Sequence, residues 1–230
     1  FSQWVIEDRF TAGRPAWEAG GAIFVDDVAP YERMKLRMLN GTHSMLAYAG
    51  FLAGHRYVRD VMADPVLARL VVRQLDAAAG TLPGLAGIDL RDYARALRER
   101  FANPAIAHET YQIAMDGTEK LPQRLLAPAA EVALRGGDLR PFAFAVAAWM
   151  RYVSGTDEAG QPIDVRDPLA DRLRNLAVGQ DTPADVVTAI LSVEDIFSAG
   201  LADQLRGPVS EAAEKIWSSG VLATVRGVTS

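Results

Sequence analysis

The feature that most constrains the fold is a recurring helix start, in which a capping side chain is followed by proline. Asp64-Pro65 opens DPVLARLVVRQL, and Thr182-Pro183 opens PADVVTAIL. Asp and Thr accept hydrogen bonds from the free amides of a first helical turn, and proline lacks the amide that would go unsatisfied there. Apolar residues then recur every three or four positions, which is typical of a helix with one buried face. The sequence therefore predicts a mainly α protein.

Further segments fit this prediction. Asp167-Pro168 is interpreted as another such start, DLRDYARALRERF (89–101) as an amphipathic helix, and PVSEAAEKIWSSGVLATV (208–225) as a closing one. PFAFAVAAWMRYV (141–153) is apolar almost all round, which indicates a buried central helix. QWVIED and GAIFVDDV are short strands that could pair near the start. Loop 153–168 is linker-like, but helices flank it, so we place no domain boundary there.

Composition excludes several classes of protein. A net charge of −5 lacks the basic stripe that nucleic acid calls for, and no apolar run reaches the roughly 18 residues of a membrane span. The absence of cysteine rules out thiol chemistry and fits a reducing compartment, so we expect a cytoplasmic protein. No glycine-rich phosphate loop occurs, so any nucleotide fold would lie outside these residues. Because the chain starts FSQWVIEDRF, without methionine or a signal peptide, we interpret it as the middle of a longer protein.

The stretch YERMKLRMLNGTHSML (31–46) carries the candidate chemistry. On a straight helix turning about 100° per residue, Glu32, Asn40 and His43 fall among leucines on the side of Lys35. The solvent face is then assigned to four other residues: Arg33, Arg37, Ser44 and Tyr48. A buried lysine has a lowered pKa and can accept a proton, while an amide and an imidazole can hold an oxygen. The alternative is a surface ion pair between Glu32 and Lys35, a helix kink at Asn40, and a core histidine.

The segment KLRMLNGTHS resembles the K-x4-N-x2-H signature of the polyol-specific long-chain dehydrogenases, which include mannitol 2-dehydrogenase and fructuronate reductase. Residues 1–32 are similar to that family's linker from its Rossmann domain, and RFANPAIAHETYQIAMDGTEKLPQRLL to its second substrate-facing segment. AWMRYVSGTDEAGQPIDVRDPL is similar to its buried tryptophan helix and the following loop. The resemblance covers essentially the whole chain.

The resemblance implies a multi-helical substrate domain of the 6-phosphogluconate dehydrogenase C-terminal type, with little or no sheet. Residues 1–30 would be the linker from an N-terminal Rossmann domain, and residues 31–230 the helical catalytic domain. That absent domain would be this chain's partner and would bind NAD or NADP, and no metal would be needed. By the same resemblance, Lys35 is the general acid and base, Asn40 polarises the reacting oxygen, His43 orients the substrate, and Glu32 passes protons to solvent.

Substrate contacts are also implied by the resemblance. Lys120 matches a position that faces substrate hydroxyls, and Gln112 stands where the mannitol-oxidising branch is expected to have arginine. This departure favours the fructuronate-reductase branch, in which Lys120 or Arg124 could pair with a substrate carboxylate. For Arg124 the alternative is a solvated helix residue. His55 and His108 are interpreted as structural or surface residues.

Two hypotheses therefore follow. In the first, the chain is the C-terminal half of an NAD(P)-dependent, metal-independent secondary-alcohol dehydrogenase that reduces fructuronate to mannonate or fructose to mannitol. Taken alone, this half would be inactive. In the second, it is a non-catalytic helical interaction or dimerisation module. The residues leave open the exact sugar, the choice between NAD and NADP, and the oligomeric state.

Overall fold

The computed structural model describes residues 3–228 and shows a helical bundle with one small sheet. The strands are β1 Trp4–Glu7 and β2 Ala22–Val25, with a 3-10 turn at Trp17–Gly20 between them. The α-helices are α1 Ala29–Met34, α2 Thr42–Leu52, α3 Val58–Ala63, α4 Pro65–Ala79, α5 Leu90–Phe101, α6 Thr110–Ala114, α7 Gly117–Leu121, α8 Ala127–Leu134, α9 Arg140–Val153, α10 Ala170–Ala177, α11 Pro183–Leu191, α12 Ala199–Ser219 and α13 Val221–Val228. Within the described residues, no helix combines the length and apolar character needed to cross a bilayer.

Two of these helices run through a π-helical turn. Lys35–Gly41 joins α1 to α2 without a break, and Pro122–Leu126 joins α7 to α8 in the same way. A π turn inserts a residue into the helical repeat and is found most often at functional sites. The two π turns pack against each other, so two interrupted helices meet at their irregular points.

Local capping fixes the helix starts that the sequence predicted. The Asp64 carboxylate accepts a hydrogen bond from the Val66 amide at 2.7 Å, and α4 begins at Pro65. Thr182 and Asp185 form a reciprocal capping box at the start of α11. These predictions are confirmed because each cap depends only on residues within one turn.

The buried central helix is also confirmed. Every residue of α9 from Phe142 to Met150 is buried, and the helix lies against α2 and α12. Because apolar groups cover α9 on all sides, it forms the middle of the core. The predicted strands do pair, in parallel register from Trp4 opposite Ala22 to Glu7 opposite Val25. This small sheet leaves the mainly α fold class as expected.

Two helix boundaries differ from the predictions. The helix expected at Pro168 begins two residues later, at Ala170. The Asp167 carboxylate accepts locally from the Leu169 amide at 2.9 Å, and it also accepts from the Thr118 amide at 2.9 Å and the Thr118 hydroxyl at 2.8 Å. A long-range contact therefore adds to the local one.

The predicted closing helix is in fact two helices. α12 starts upstream at Ala199, runs through Pro208 and ends before Gly220, whose φ of 81° breaks it. α13 then follows, and the Glu158 carboxylate accepts from its first amide, that of Val221, at 2.6 Å. Because Glu158 belongs to loop 153–168, this contact anchors the linker-like loop to the bundle.

Candidate functional site

The site is organised by the contact between the two π turns. A Cβ placed on Gly41 would stand 2.7 Å from the Arg124 carbonyl oxygen, so only glycine permits this approach of the backbones. Nearby, Arg124 Nη1 donates to Ser44 Oγ at 3.2 Å. These two contacts bring the segment carrying Lys35, Asn40 and His43 against the segment carrying Arg124.

The predicted burial of Lys35 and Glu32 is wrong for this chain. Both side chains are exposed, and Asn40 is half-buried. Within the described part of the chain, none of the three has a side-chain hydrogen bond or an ion pair. The described part of this chain therefore does not shield Lys35 from water, contrary to the inference drawn from the sequence.

The predicted solvent face is also mostly wrong. Of its members only Arg33 is exposed, whereas Ser44 and Tyr48 are fully buried and Arg37 is 5 % exposed. The helical wheel assumed about 3.6 residues per turn, but the π turn from Lys35 to Gly41 is more loosely wound. Because the π turn has more residues per turn, the residues after it are rotated about the helix axis relative to those before it. The two sets therefore no longer share the faces that a straight helix gives.

His43 is held in a largely apolar contact. Its ring lies 4.5 Å from the Phe101 ring and, edge to face, 5.4 Å from the ring of His108. Burial, together with the positive charges of His108 and Arg100, lowers the pKa of His43 to about 3. The imidazole is therefore neutral near pH 7, with one nitrogen free to accept and the other to donate a hydrogen bond.

Arg124 is a half-buried cation. Desolvation lowers the pKa of its guanidinium, and no carboxylate of the described residues lies within ion-pair distance of it. The interpretation of Arg124 as a solvated helix residue is therefore not what the structure shows. A partly desolvated guanidinium with unused donors is chemically suited to an anionic group.

Lys120 and Gln112 have different environments. Lys120 Nζ donates to the Met115 carbonyl at 2.5 Å and lies 3.6 Å from the Asp116 carboxylate. Asp116 has a φ of 54°, in the left-handed region, and precedes the first residue of α7. The Gln112 side chain is exposed on α6. Lys120 is thus held in place by its own turn, whereas Gln112 is not.

The turn before Lys120 is itself locked from the inside. A Cβ on Gly117 would stand 2.5 Å from Trp149 Nε1 and 2.6 Å from the Tyr48 hydroxyl. Asp167 holds the next residue, Thr118, through both its amide and its hydroxyl. The segment that carries Lys120 is therefore fixed by α2, α9 and the loop before α10.

Sequence reasoning missed two features near the site. His108 was interpreted as a structural or surface residue, yet its ring contacts His43. Arg37 was placed in solvent, yet its buried guanidinium pairs with the partly exposed Glu131. Neither contact has a local sequence signal, because the partners are far apart along the chain. His55 is half-buried with Nε2 3.6 Å from Asp64, as a structural residue would be.

The described residues contain no group of three or more His, Asp or Glu side chains placed to hold a metal ion. Lys35 is exposed and Asn40 is half-buried, so a nicotinamide coenzyme could contact them from one side only, from outside the bundle.

The helical architecture and its relatives place the chain among the C-terminal domains of oxidoreductases. Residues 27–217 match the family model described as the mannitol dehydrogenase C-terminal domain. The chain belongs to this family.

Individual relatives agree. The chain is 49 % identical over 218 residues to "Uncharacterized oxidoreductase YeiQ" of Escherichia coli, covering 94 % of this chain and 44 % of that protein. It is 48 % identical over 202 residues to the D-mannonate oxidoreductase of the same organism, covering 87 % and 41 %. The structure of Pseudomonas fluorescens mannitol 2-dehydrogenase with NAD and D-mannitol aligns with a TM-score of 0.89 at 35 % identity, over 99 % of this chain and 46 % of that one. The chain thus spans less than half the length of these relatives.

Proposed function

We propose that this chain is the substrate-side domain of a nicotinamide-dependent oxidoreductase that reversibly reduces a 2-keto sugar or keto-uronate, with fructuronate to mannonate preferred over fructose to mannitol. The observation that carries the proposal is the contact of the two π turns. It joins the Lys35, Asn40 and His43 segment to the segment of Arg124. The match to relatives named as D-mannonate oxidoreductase and mannitol 2-dehydrogenase supports it.

In the proposed reaction Lys35 is the acid and base. During reduction its ammonium gives a proton to the carbonyl oxygen as that oxygen gains negative charge, and during oxidation the neutral amine takes the hydroxyl proton. Asn40 donates a hydrogen bond to the same oxygen. The bound coenzyme would supply the hydride that reaches the carbonyl carbon. No metal takes part in the scheme.

The remaining residues orient the substrate and return the proton. Neutral His43 hydrogen-bonds a sugar hydroxyl without adding a charge beside Lys35. Glu32, exposed one turn before Lys35, exchanges protons between the amine and water. Arg124 or Lys120 pairs with the carboxylate of a uronate, and Gln112 contacts a hydroxyl at the rim.

The exposure of Lys35 assigns a role to the rest of the polypeptide. We propose that residues 1–30 lead from an N-terminal Rossmann domain, which binds NAD or NADP and covers the open face of residues 31–230. Closing this face removes water from Lys35, which lowers the pKa of a lysine and strengthens the hydrogen bonds around it. This chain alone is then expected to be inactive.

The test uses lysine replacement in the full-length protein. Of the three lysines in this sequence, Lys35 and Lys120 lie in the proposed site, and Lys215 pairs on the surface with Glu211 at 2.6 Å. We expect Lys35→Ala to lower kcat by at least about 10²-fold and to remove the main ionisation from its pH profile. Lys215→Ala is the matched control and should leave both unchanged.

A panel of fructose, fructuronate and tagaturonate, each with NADH and NADPH, identifies the substrate. Arg124→Met should weaken binding of the uronates more than binding of fructose, because only the uronates carry a carboxylate. Unchanged turnover in Lys35→Ala would refute the proposed acid and base. A full-length protein that turns over none of these sugars would favour the non-catalytic helical module instead.

A further inference from the structure

Arg37 lies inside the first π turn, and its side chain is buried against Glu131 and Thr81. Its Nη2 and Nη1 donate to Glu131 Oε1 at 2.6 Å and Oε2 at 2.8 Å, and Nη1 also donates to the Thr81 carbonyl at 3.0 Å. The Arg37 side chain is 6 % exposed and that of Glu131 is 37 % exposed. Hydrogen bonding to Arg37 lowers the pKa of Glu131, which favours its ionised carboxylate.

One member of this pair lies close in sequence to the candidate residues Lys35 and Asn40. Arg37 stands two residues after Lys35 and three before Asn40, within the same π turn. Its partner Glu131 lies on α8, which continues directly from the second π turn. The ion pair therefore joins the two interrupted helices at a second point, in addition to the contact between Gly41 and Arg124.

The geometry of the ion pair restricts how the Arg37 side chain can be oriented. A guanidinium that meets a carboxylate through two parallel hydrogen bonds fixes the orientation of both planes, which a single contact does not do. The third bond, to Thr81 in the turn after α4, fixes Arg37 from another direction. These three bonds together hold the first π turn against α8 and the turn after α4.

We propose that Arg37 and Glu131 are positioning residues for the reaction. The pair sets the rotation of the first π turn so that Lys35 and Asn40 reach the same substrate oxygen from one side. The inference rests on the proposed function, because it assigns to Lys35 and Asn40 the roles given above. Neither Arg37 nor Glu131 touches the reacting atoms.

The main test is Glu131→Gln in the full-length protein, which keeps the shape of the side chain and removes its charge. We expect kcat to fall by about 10- to 100-fold, the range that a small misplacement of reacting groups produces, while KM for the sugar changes by less than about threefold. Asp195→Asn is the matched control, since Asp195 also joins two separate segments by pairing with Arg172, at 2.7 Å on the surface. The control should leave kcat unchanged.

Two readouts separate positioning from loss of folded protein. With coenzyme deuterated at the transferred hydrogen, Glu131→Gln should show a larger isotope effect on kcat, because the chemical step has become slower. Its pH profile should keep the ionisation that Lys35→Ala loses. Partial unfolding would lower the active fraction without changing either readout.

If Glu131→Gln does not fold, Glu131→Asp replaces it, because it keeps the charge and shortens the reach to Arg37. A lowered kcat with KM retained in either folded variant supports the inference. An unchanged kcat, or a fall with an unchanged isotope effect, overturns it while leaving the proposed function standing. If the wild-type protein reduces none of the sugars, the proposed function fails and this inference fails with it.

Discussion

Replacing Gly41 by alanine tests the contact that organises the site. The added Cβ would stand 2.7 Å from the Arg124 carbonyl oxygen, about 0.7 Å short of the 3.4 Å at which ordinary contact begins. The obstacle is a backbone atom inside a helix, so it cannot move away by changing a rotamer. The two π turns must therefore separate.

The expected loss of stability follows from two opposing effects. Overpacking of this kind costs about 1–3 kcal/mol, and the better helix propensity of alanine returns up to about 1 kcal/mol. We therefore expect Gly41→Ala to lower the free energy of unfolding by about 1–2 kcal/mol. Separation also moves Arg124 away from the Lys35 segment. The kcat of the full-length protein should therefore fall even under conditions where the variant is fully folded.

The free energy of unfolding is measured by urea denaturation of the full-length protein, with tryptophan fluorescence as the probe. The matched control is Gly200→Ala, since Gly200 is also helical, is not followed by proline, and a Cβ there meets no atom within 4 Å. The control should gain up to about 1 kcal/mol from helix propensity alone. If Gly41→Ala is as stable as Gly200→Ala, the close approach does not constrain the π turns and the reasoning is wrong.

Three further predictions concern the same region. Asp167→Ala should lower the free energy of unfolding by about 2–3 kcal/mol, measured by urea unfolding, because Thr118 loses both of its charge-assisted hydrogen bonds. Gly117→Ala should cost at least about 2 kcal/mol in the same assay, because its Cβ would overlap the Trp149 indole nitrogen. The pKa of His43 is lowered from 6.5 to about 3, so between these values the unfolded chain binds a proton that the folded chain does not. Stability should therefore fall with decreasing pH, by up to about 1.4 kcal/mol per unit from this residue, and His43→Phe should flatten that slope. An equal slope in wild type and variant would contradict the burial of His43.

The sequence pointed to candidate site residues through patterns among neighbours in the chain. The residue types at 35, 40 and 43 and their spacing pointed to one polar segment, and the resemblance added a second segment around Lys120. Burial could not be read in the same way. Lys35 was expected to be buried and Arg37 exposed, and the structure shows the reverse, because a helical wheel places residues relative to one another but does not show which side faces the core.

The sequence by itself determined where several helices begin and which one lies at the centre. Asp64 caps α4 and Thr182 caps α11 through atoms within a single turn, and the all-apolar α9 has no face that water would stabilise. Only the tertiary structure decided how the polar segment is oriented. The pair of Arg37 with Glu131 anchors this segment and that of Thr118 with Asp167 anchors the segment of Lys120, joining residues 94 and 49 positions apart. Such partners are selected by the packing of whole helices, so no local pattern encodes them, and their energy appears only when the bundle has formed.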